Sequence, residues 1–330
     1  MPIINASRTD PNKILPFHYP WARDYYRTAV ANNWTPEEVS MQRDVEQWKS
    51  GVLSEGERRL VLWNLGFFST AESLTANNIV LAVYRHVTNA EARQYLLRQG
   101  YEEAIHTDTF IYCCDTLGLD PDDIYNMYER IHSIQEKDRF VVDLTTSVLD
   151  PGFATRGPEN VQRFLHDLIG FYVLMEGIFF YAGFAMMLAL KRQNKMVGIG
   201  EQFEYIMRDE SLHLAFGCDL IDTIKAENPE IWDQAFQDEV MSLVEQAVEH
   251  EKRYARDACP QGLLGLNSER FAEYVEYVAD RRLERLRLPR RYGTANPFPW
   301  MSQAVDLAKE KNFFETRVTE YQSASALVWD

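Results

Sequence analysis

The chain is predicted to be all-α, one bundle of long helices, on three observations. Apolar residues recur with helical period through most of the sequence, and strand-like alternation is scarce. Pro and Gly number only 13 and 16 in 330 residues, and no Ser/Gly-rich linker splits the chain. A hydrophobic share of 46% is ample for a single large core.

The first predicted helix, 56–86, carries the apolar run NLGFFSTAESLTANNIVLAV, and the second, 91–117, stops before Gly118 and Pro121. The third, 159–192, follows the Asp150-Pro151-Gly152 breaker. The fourth, 199–227, stops at Asn228-Pro229, and helices at 229–257 and 267–287 follow. Helices this long suit an elongated bundle.

Residues 168–190 are long and apolar enough to span a bilayer. Glu176 stands in the middle of that run, where an acid costs about 2.5–3.5 kcal/mol to insert. The other helices are amphipathic, so the run reads as the central helix of a bundle, with no membrane. A buried Glu176 must then be paired, protonated or bound to metal.

A formal charge of −16 excludes a nucleic-acid surface, which needs a basic footprint. The one basic cluster, Arg281 to Arg291, reads as a solvated helix end. The N-terminus lacks the apolar core of a signal peptide. Cys113, Cys114, Cys218 and Cys259 form neither a CxxC pair nor a disulfide framework, and the expected location is cytoplasmic.

The chemistry lies in a repeat. Glu103-Ala-Ile-His106 and Glu210-Ser-Leu-His213 each put Glu and His one helical turn apart, on one face, where both can close on a metal. A third match, Glu129 to His132, lies in the charged stretch YERIHSIQEKD and reads as surface. Each of the first two pairs follows a helix with an isolated acid in apolar sequence, Glu72 and Glu176. The unit recurs at an offset of 104 residues for the single Glu and 107 for each pair. Two single glutamates and two ExxH pairs are the ligand inventory of ferritin-like dimetal proteins. Four carboxylates and two imidazoles suit Fe or Mn better than structural Zn, which prefers thiolates. A bundle held by buried ion pairs is the metal-free alternative, but no Lys or Arg lies near Glu72 or Glu176 within those helices.

At these residues the sequence resembles the small (beta) subunit of class I ribonucleotide reductases. NNWTPEEV at 32–39, DESLH at 209–213, ANPFPW at 295–300 and KNFFETRVTEYQ at 311–322 carry the resemblance across nearly the whole sequence. It implies a ferritin-like domain over 1–315 and a flexible tail over 316–330 that docks on the large (alpha) subunit. It also implies a homodimer that activates O2 at two metals and delivers an oxidising equivalent for reduction of ribonucleoside diphosphates to deoxyribonucleotides. Glu72, Glu103 and His106 would hold one metal and Glu176, Glu210 and His213 the other, with Glu103 and Glu210 bridging. Trp34, Asp209 and Tyr321 would form the radical path, Asp209 linking Trp34 to His106. The rival in the same superfamily is a ligand-binding oxidase with a Val–Tyr ether link; the corresponding positions here are Thr75 and Phe171, which cannot form it. A ferritin would be far shorter and would lack Trp34 and the tail.

One departure matters. Most of the family has a radical-storing tyrosine four residues after the metal-bound histidine, and this sequence has Phe110. The first ligand is Glu72, where the tyrosyl-radical type usually has Asp. Both features resemble the class Ic subgroup, which keeps the oxidising equivalent on one Mn and one Fe. Mn/Mn and Fe/Fe remain alternatives. In that subgroup the residue matching Tyr205 assists electron delivery during activation.

Overall fold

A computed structural model of the protein describes residues 2–6, 15–75, 80–260, 262 and 267–301. Among these the secondary structure is helical apart from an isolated antiparallel bridge between Ile4 and Val87, as the sequence predicts. Tyr321, the 315/316 boundary and the tail lie outside the described residues.

In sequence order the helices are α1 (Pro20–Ala31), α2 (Gln42–Ser50), α3 (Glu55–Leu74), α4 (Val80–His86), α5 (Ala90–Leu117), α6 (Pro121–Tyr125) and α7 (Met127–Arg130). There follow α8 (His132–Leu144), α9 (Thr146–Leu149), α10 (Pro158–Leu168), α11 (Phe180–Arg192), α12 (Val197–Glu227), α13 (Gln234–Ala258) and α14 (Ser268–Arg285). Between α10 and α11 the helix continues through Ile169–Phe179 with π-type winding.

Local chemistry sets several ends. Ser54 and Glu57 form a reciprocal capping box at α3, with the Ser54 hydroxyl accepting from Glu57 N–H at 3.3 Å and the Glu57 carboxylate from Ser54 N–H at 2.9 Å. Asn89 caps α5 through the Ala92 N–H, and Gly118 at φ 68° ends it in the left-handed conformation that glycine tolerates. The start of α12 has no cap of its own. The buried Asp44 carboxylate, from α2, accepts from Gly198 and Ile199 N–H at 3.0 and 2.7 Å.

The inner layer is α3, α5, α12 and the π segment with α11, packed on one another. Helix α1 covers α5 and α12, while α13 and α14 cover the π segment from the other side. Packing between α12 and the π segment is so close that a Cβ at Gly217 would stand 2.1 Å from the Tyr172 ring. The helix Pro158–Arg192 is long and apolar enough to cross a membrane, but 94% of its apolar window is buried inside the fold.

The predicted helix 56–86 is matched by α3 and α4 wherever it is described, 76–79 lying outside the described residues. Other expectations need correction. The helix predicted at 229–257 starts at Gln234, because Pro229–Ile231 make a 3-10 turn and Asp233 caps Phe236 N–H at 2.8 Å. Helices α1, α2 and α6 to α9 are additions to the predicted set; they are short, and most are stabilised by packing on longer helices rather than by a long periodic pattern. Glu129 and His132 are exposed as expected, yet Lys137 in the same stretch is buried, ion-paired to Glu251 and 3.5 Å from the centre of the Phe67 ring. The basic cluster is likewise not simply solvated. Arg282 donates to the Gly177 carbonyl of the π segment at 2.8 Å, and Arg285 pairs with Asp219 and Asp222.

Candidate metal centre

Six side chains from four inner elements converge. Helix α3 supplies Glu72, α5 supplies Glu103 and His106, the π segment supplies Glu176, and α12 supplies Glu210 and His213; all are fully buried. Both imidazoles turn Nδ1 toward the carboxylates. His106 Nδ1 lies 3.1 Å from Glu210 Oε1, 3.5 Å from Glu72 Oε2 and 3.7 Å from Glu103 Oε2. His213 Nδ1 lies 3.1 Å from Glu103 Oε1, 3.4 Å from Glu210 Oε1 and 4.0 Å from Glu176 Oε1. Glu103 and Glu210 therefore lie between the two rings, with Glu72 at one end and Glu176 at the other.

Burial of four carboxylates without a cation is electrostatically untenable. Among the described residues no Lys or Arg pairs with any of the four. Burial, followed by repulsion from neighbouring carboxylates, holds Glu72 and Glu176 well above the usual carboxylate range. For Glu103, burial is outweighed by His213 and His106, which hold it low. Burial disfavours the charged imidazoles too, but the surrounding carboxylates, Glu72 foremost for His106 and Glu210 for His213, hold both rings well above their ordinary value. Without metal, protons must do the neutralising.

The residues fit a dimetal centre. Both oxygens of Glu72 and of Glu210, one of Glu103, one of Glu176 and Nδ1 of each histidine are buried and lack a hydrogen-bond partner. Glu72, Glu103, His106 and Glu210 each offer a ligand atom within 4.8 Å of the others, and Glu103, Glu176 and His213 do the same. Buried donors without partners, in two groups sharing Glu103, leave room for positive charge at two points.

The residues expected on the radical path also meet. Trp34 Nε1 donates to Asp209 Oδ2 at 2.7 Å, and that oxygen lies 3.5 Å from His106 Nε2. Arg208 holds the other oxygen, Oδ1, at 3.0 Å. Arg208 outweighs the effect of burial, with help from His106, and keeps the Asp209 carboxyl below its usual value. The Tyr205 ring packs on Trp34 with centroids 5.1 Å apart, outside the ligand cluster. Phe110 is fully buried, stacked on Phe68 at 5.9 Å and edge-on to Phe203 at 5.9 Å. Phe180 and Phe184 pack on the same Phe68 ring, and Ile206 is buried on α12. Phe171 packs on Tyr172 at 4.4 Å, and Thr75 donates to the Ala71 carbonyl at 3.0 Å.

Three residues of the site escape the sequence reading. Gln99 donates to Glu103 and Glu176 at 3.3 Å each and accepts from the Tyr172 hydroxyl at 3.0 Å. Arg208 stands beside Asp209 and fixes it. Glu102 meets His213 Nε2 at 3.0 Å. A signal for Glu102 existed: both ExxH pairs are preceded by an acid, giving EEAIH at 102–106 and DESLH at 209–213.

The family model "Ribonucleotide reductase, small chain" matches residues 11–297. A Chlamydia pneumoniae protein, ribonucleoside-diphosphate reductase subunit beta, is 57% identical over 99% of this sequence and 94% of its own length. The ribonucleoside-diphosphate reductase small chain of Nicotiana tabacum is 31% identical over 98% of this sequence and 92% of its own. Among solved structures, the ribonucleotide reductase R2 subunit from Clostridium botulinum superposes with a TM-score of 0.84 at 29% identity, covering 92% of this protein and 94% of that one. With the buried six-residue cluster and the helical bundle around it, these likenesses show that the protein belongs to the ribonucleotide reductase small-chain family.

Proposed function

We propose that this small subunit of ribonucleoside-diphosphate reductase keeps its oxidising equivalent on a manganese–iron pair, not on a tyrosine, and passes it through Trp34 to the large subunit. Phe110 carries the proposal. By the resemblance it stands where most of the family has the radical tyrosine, and it packs between Phe68 and Phe203, which have no hydroxyl to oxidise. Glu72, Glu103 and His106 would hold one metal, and Glu176, Glu210 and His213 the other, with Glu103 and Glu210 shared. When bound and activated by O2, the pair supplies a strong one-electron oxidant.

The protein's own residues govern what that oxidant reaches. Phe68, Phe110, Phe180 and Phe184 are fully buried and would keep water and reductants out. Oxidation of the Trp34 indole acidifies its N–H, and Asp209 Oδ2, already accepting that hydrogen bond, holds the proton or its charge. Arg208 fixes the other carboxylate oxygen, so Asp209 stays aimed at both Trp34 and His106. Tyr205 stacks on Trp34 and would feed in the electron needed during activation. The subunit would act as a homodimer in the cytoplasm, with Tyr321 and the 316–330 tail completing the path on the large subunit.

The test is to load metal-free protein with manganese and iron in varied ratios and assay it with the large subunit. Turnover should follow manganese content and be weak with iron alone. Maximal turnover with iron only would refute the manganese–iron assignment.

A further inference from the structure

Glu102 and Asp209 hold matching places in the two halves of the molecule. Each immediately precedes the shared glutamate of its helix, and each reaches across to the histidine of the other helix. Asp209 Oδ2 lies 3.5 Å from His106 Nε2, and Glu102 Oε2 lies 3.0 Å from His213 Nε2. The matching extends outward. Arg98 holds Glu102 at 3.2 Å and donates to the Ala29 carbonyl and the Asn33 side chain at 3.0 and 2.9 Å. Arg208 holds Asp209 and donates to the Asn32 carbonyl at 2.6 Å. Both acids are thus tied by an arginine to the segment that leads into Trp34.

The two arms differ in one respect. Asp209 Oδ2 is shared between the indole and the imidazole, and its contact with the ring is the longer. Glu102 Oε2 has only the imidazole as a hydrogen-bond partner among the described residues, while Arg98 takes the other oxygen. We propose that Glu102 is the positioning residue of the His213 site: it fixes the ring with Nδ1 facing the carboxylates and raises that site's metal affinity above what His213 alone would give. The proposal rests on the two-metal reading above. A carboxylate on the far nitrogen of a metal-bound imidazole fixes its tautomer and strengthens it as a donor, and removal of such a partner typically costs about 10–100-fold in affinity.

The experiment is an anaerobic titration of metal-free protein with Mn(II), with free ion followed by electron paramagnetic resonance. Wild type should bind two ions per subunit. Glu102→Ala should retain one site at wild-type affinity and weaken the other by about 10–100-fold. Glu102→Gln, which keeps an acceptor of the same shape, should recover part of the loss, and it carries the test if Glu102→Ala fails to fold. In a His213→Ala background Glu102→Gln should change nothing further, whereas in a His106→Ala background its effect should persist. Wild-type affinity at both sites in both Glu102 variants, or equal weakening of both sites, overturns the proposal while leaving the two-metal reading intact. Wild-type protein that cannot bind two ions refutes that reading instead.

Discussion

Trp34 and Asp209 are 175 residues apart in sequence and joined by a buried 2.7 Å hydrogen bond. The acceptor oxygen also faces His106, so one carboxylate couples the indole to a proposed metal ligand. Asp209→Asn should retain most of the bound metal and lower turnover with the large subunit by about 10–100-fold. Trp34→Phe, which removes the N–H, should abolish turnover and leave metal content unchanged. Wild-type turnover in Trp34→Phe would take Trp34 off the path.

Glu210 Oε1 lies within 3.4 Å of Nδ1 on both His106 and His213. Glu210→Ala should therefore drop metal content well below two per subunit and erase the thermal stabilisation that metal gives the wild type. Two tightly bound metals in this variant would eliminate Glu210 as a bridge.

The pH response of the two forms should differ in sign. Folded, metal-free protein holds Glu72 and Glu176 above the ordinary carboxylate value of 4.5, and His106 and His213 above 6.5. The folded state then binds more protons than the unfolded chain, so these groups lose stabilising effect as pH rises from about 4.5 upward. Glu103 and Asp209, held low, act only below that window. Metal expels the same protons, so its affinity climbs with pH. Melting curves of metal-free and Mn(II)-loaded protein from about pH 5.5 to 8 should show a gap in Tm that widens with pH. A constant gap would mean that the cluster does not titrate on binding.

The six clustered residues were legible because helix geometry fixes which side chains share a face: one turn separates Glu103 from His106 and Glu210 from His213, and the repeat copies the arrangement. Gln99 and Glu102 were harder to read, because Tyr172, Glu176 and His213 lie on other elements and the acid before each ExxH pair was the one local trace, for Glu102 alone. The π winding around Glu176 was equally hidden. A segment apolar on every face gives no periodicity from which to read its pitch, and what satisfies the Gly177 carbonyl comes from Arg282, 105 residues away. Asp44 at the start of α12 shows the same limit, since a cap borrowed from another helix leaves no local signature.

The tail is expected to act in trans. Deletion of residues 322–330 should leave two metals per subunit and abolish turnover with the large subunit. Tyr321→Phe should preserve binding to that subunit, because the ring remains, and stop turnover, because a phenyl ring has no proton to give up. A truncated protein with full turnover would remove docking from the tail's role.

Phe110 gives the most decisive prediction. Its neighbours Phe68 and Phe203 offer no hydrogen-bond acceptor, and Phe68 also carries Phe180 and Phe184. A phenol placed there would have to bury its hydroxyl against these rings, which costs about 1–3 kcal/mol where it meets no acceptor. Phe110→Tyr should accordingly melt at lower temperature than wild type. In the native protein Phe110 itself offers no hydroxyl to oxidise, so on the proposed reading the oxidising equivalent should persist on the metals. Active wild-type protein should show a paramagnetic signal carrying manganese hyperfine structure and no tyrosyl radical. A stable tyrosyl radical in active protein would overturn this reading and direct attention to three phenols. Tyr172 reaches the cluster through Gln99, Tyr205 packs on Trp34, and Tyr112 donates to the Val39 carbonyl at 3.3 Å. Of these, Tyr172 has the most direct route, since one amide separates its hydroxyl from both Glu103 and Glu176.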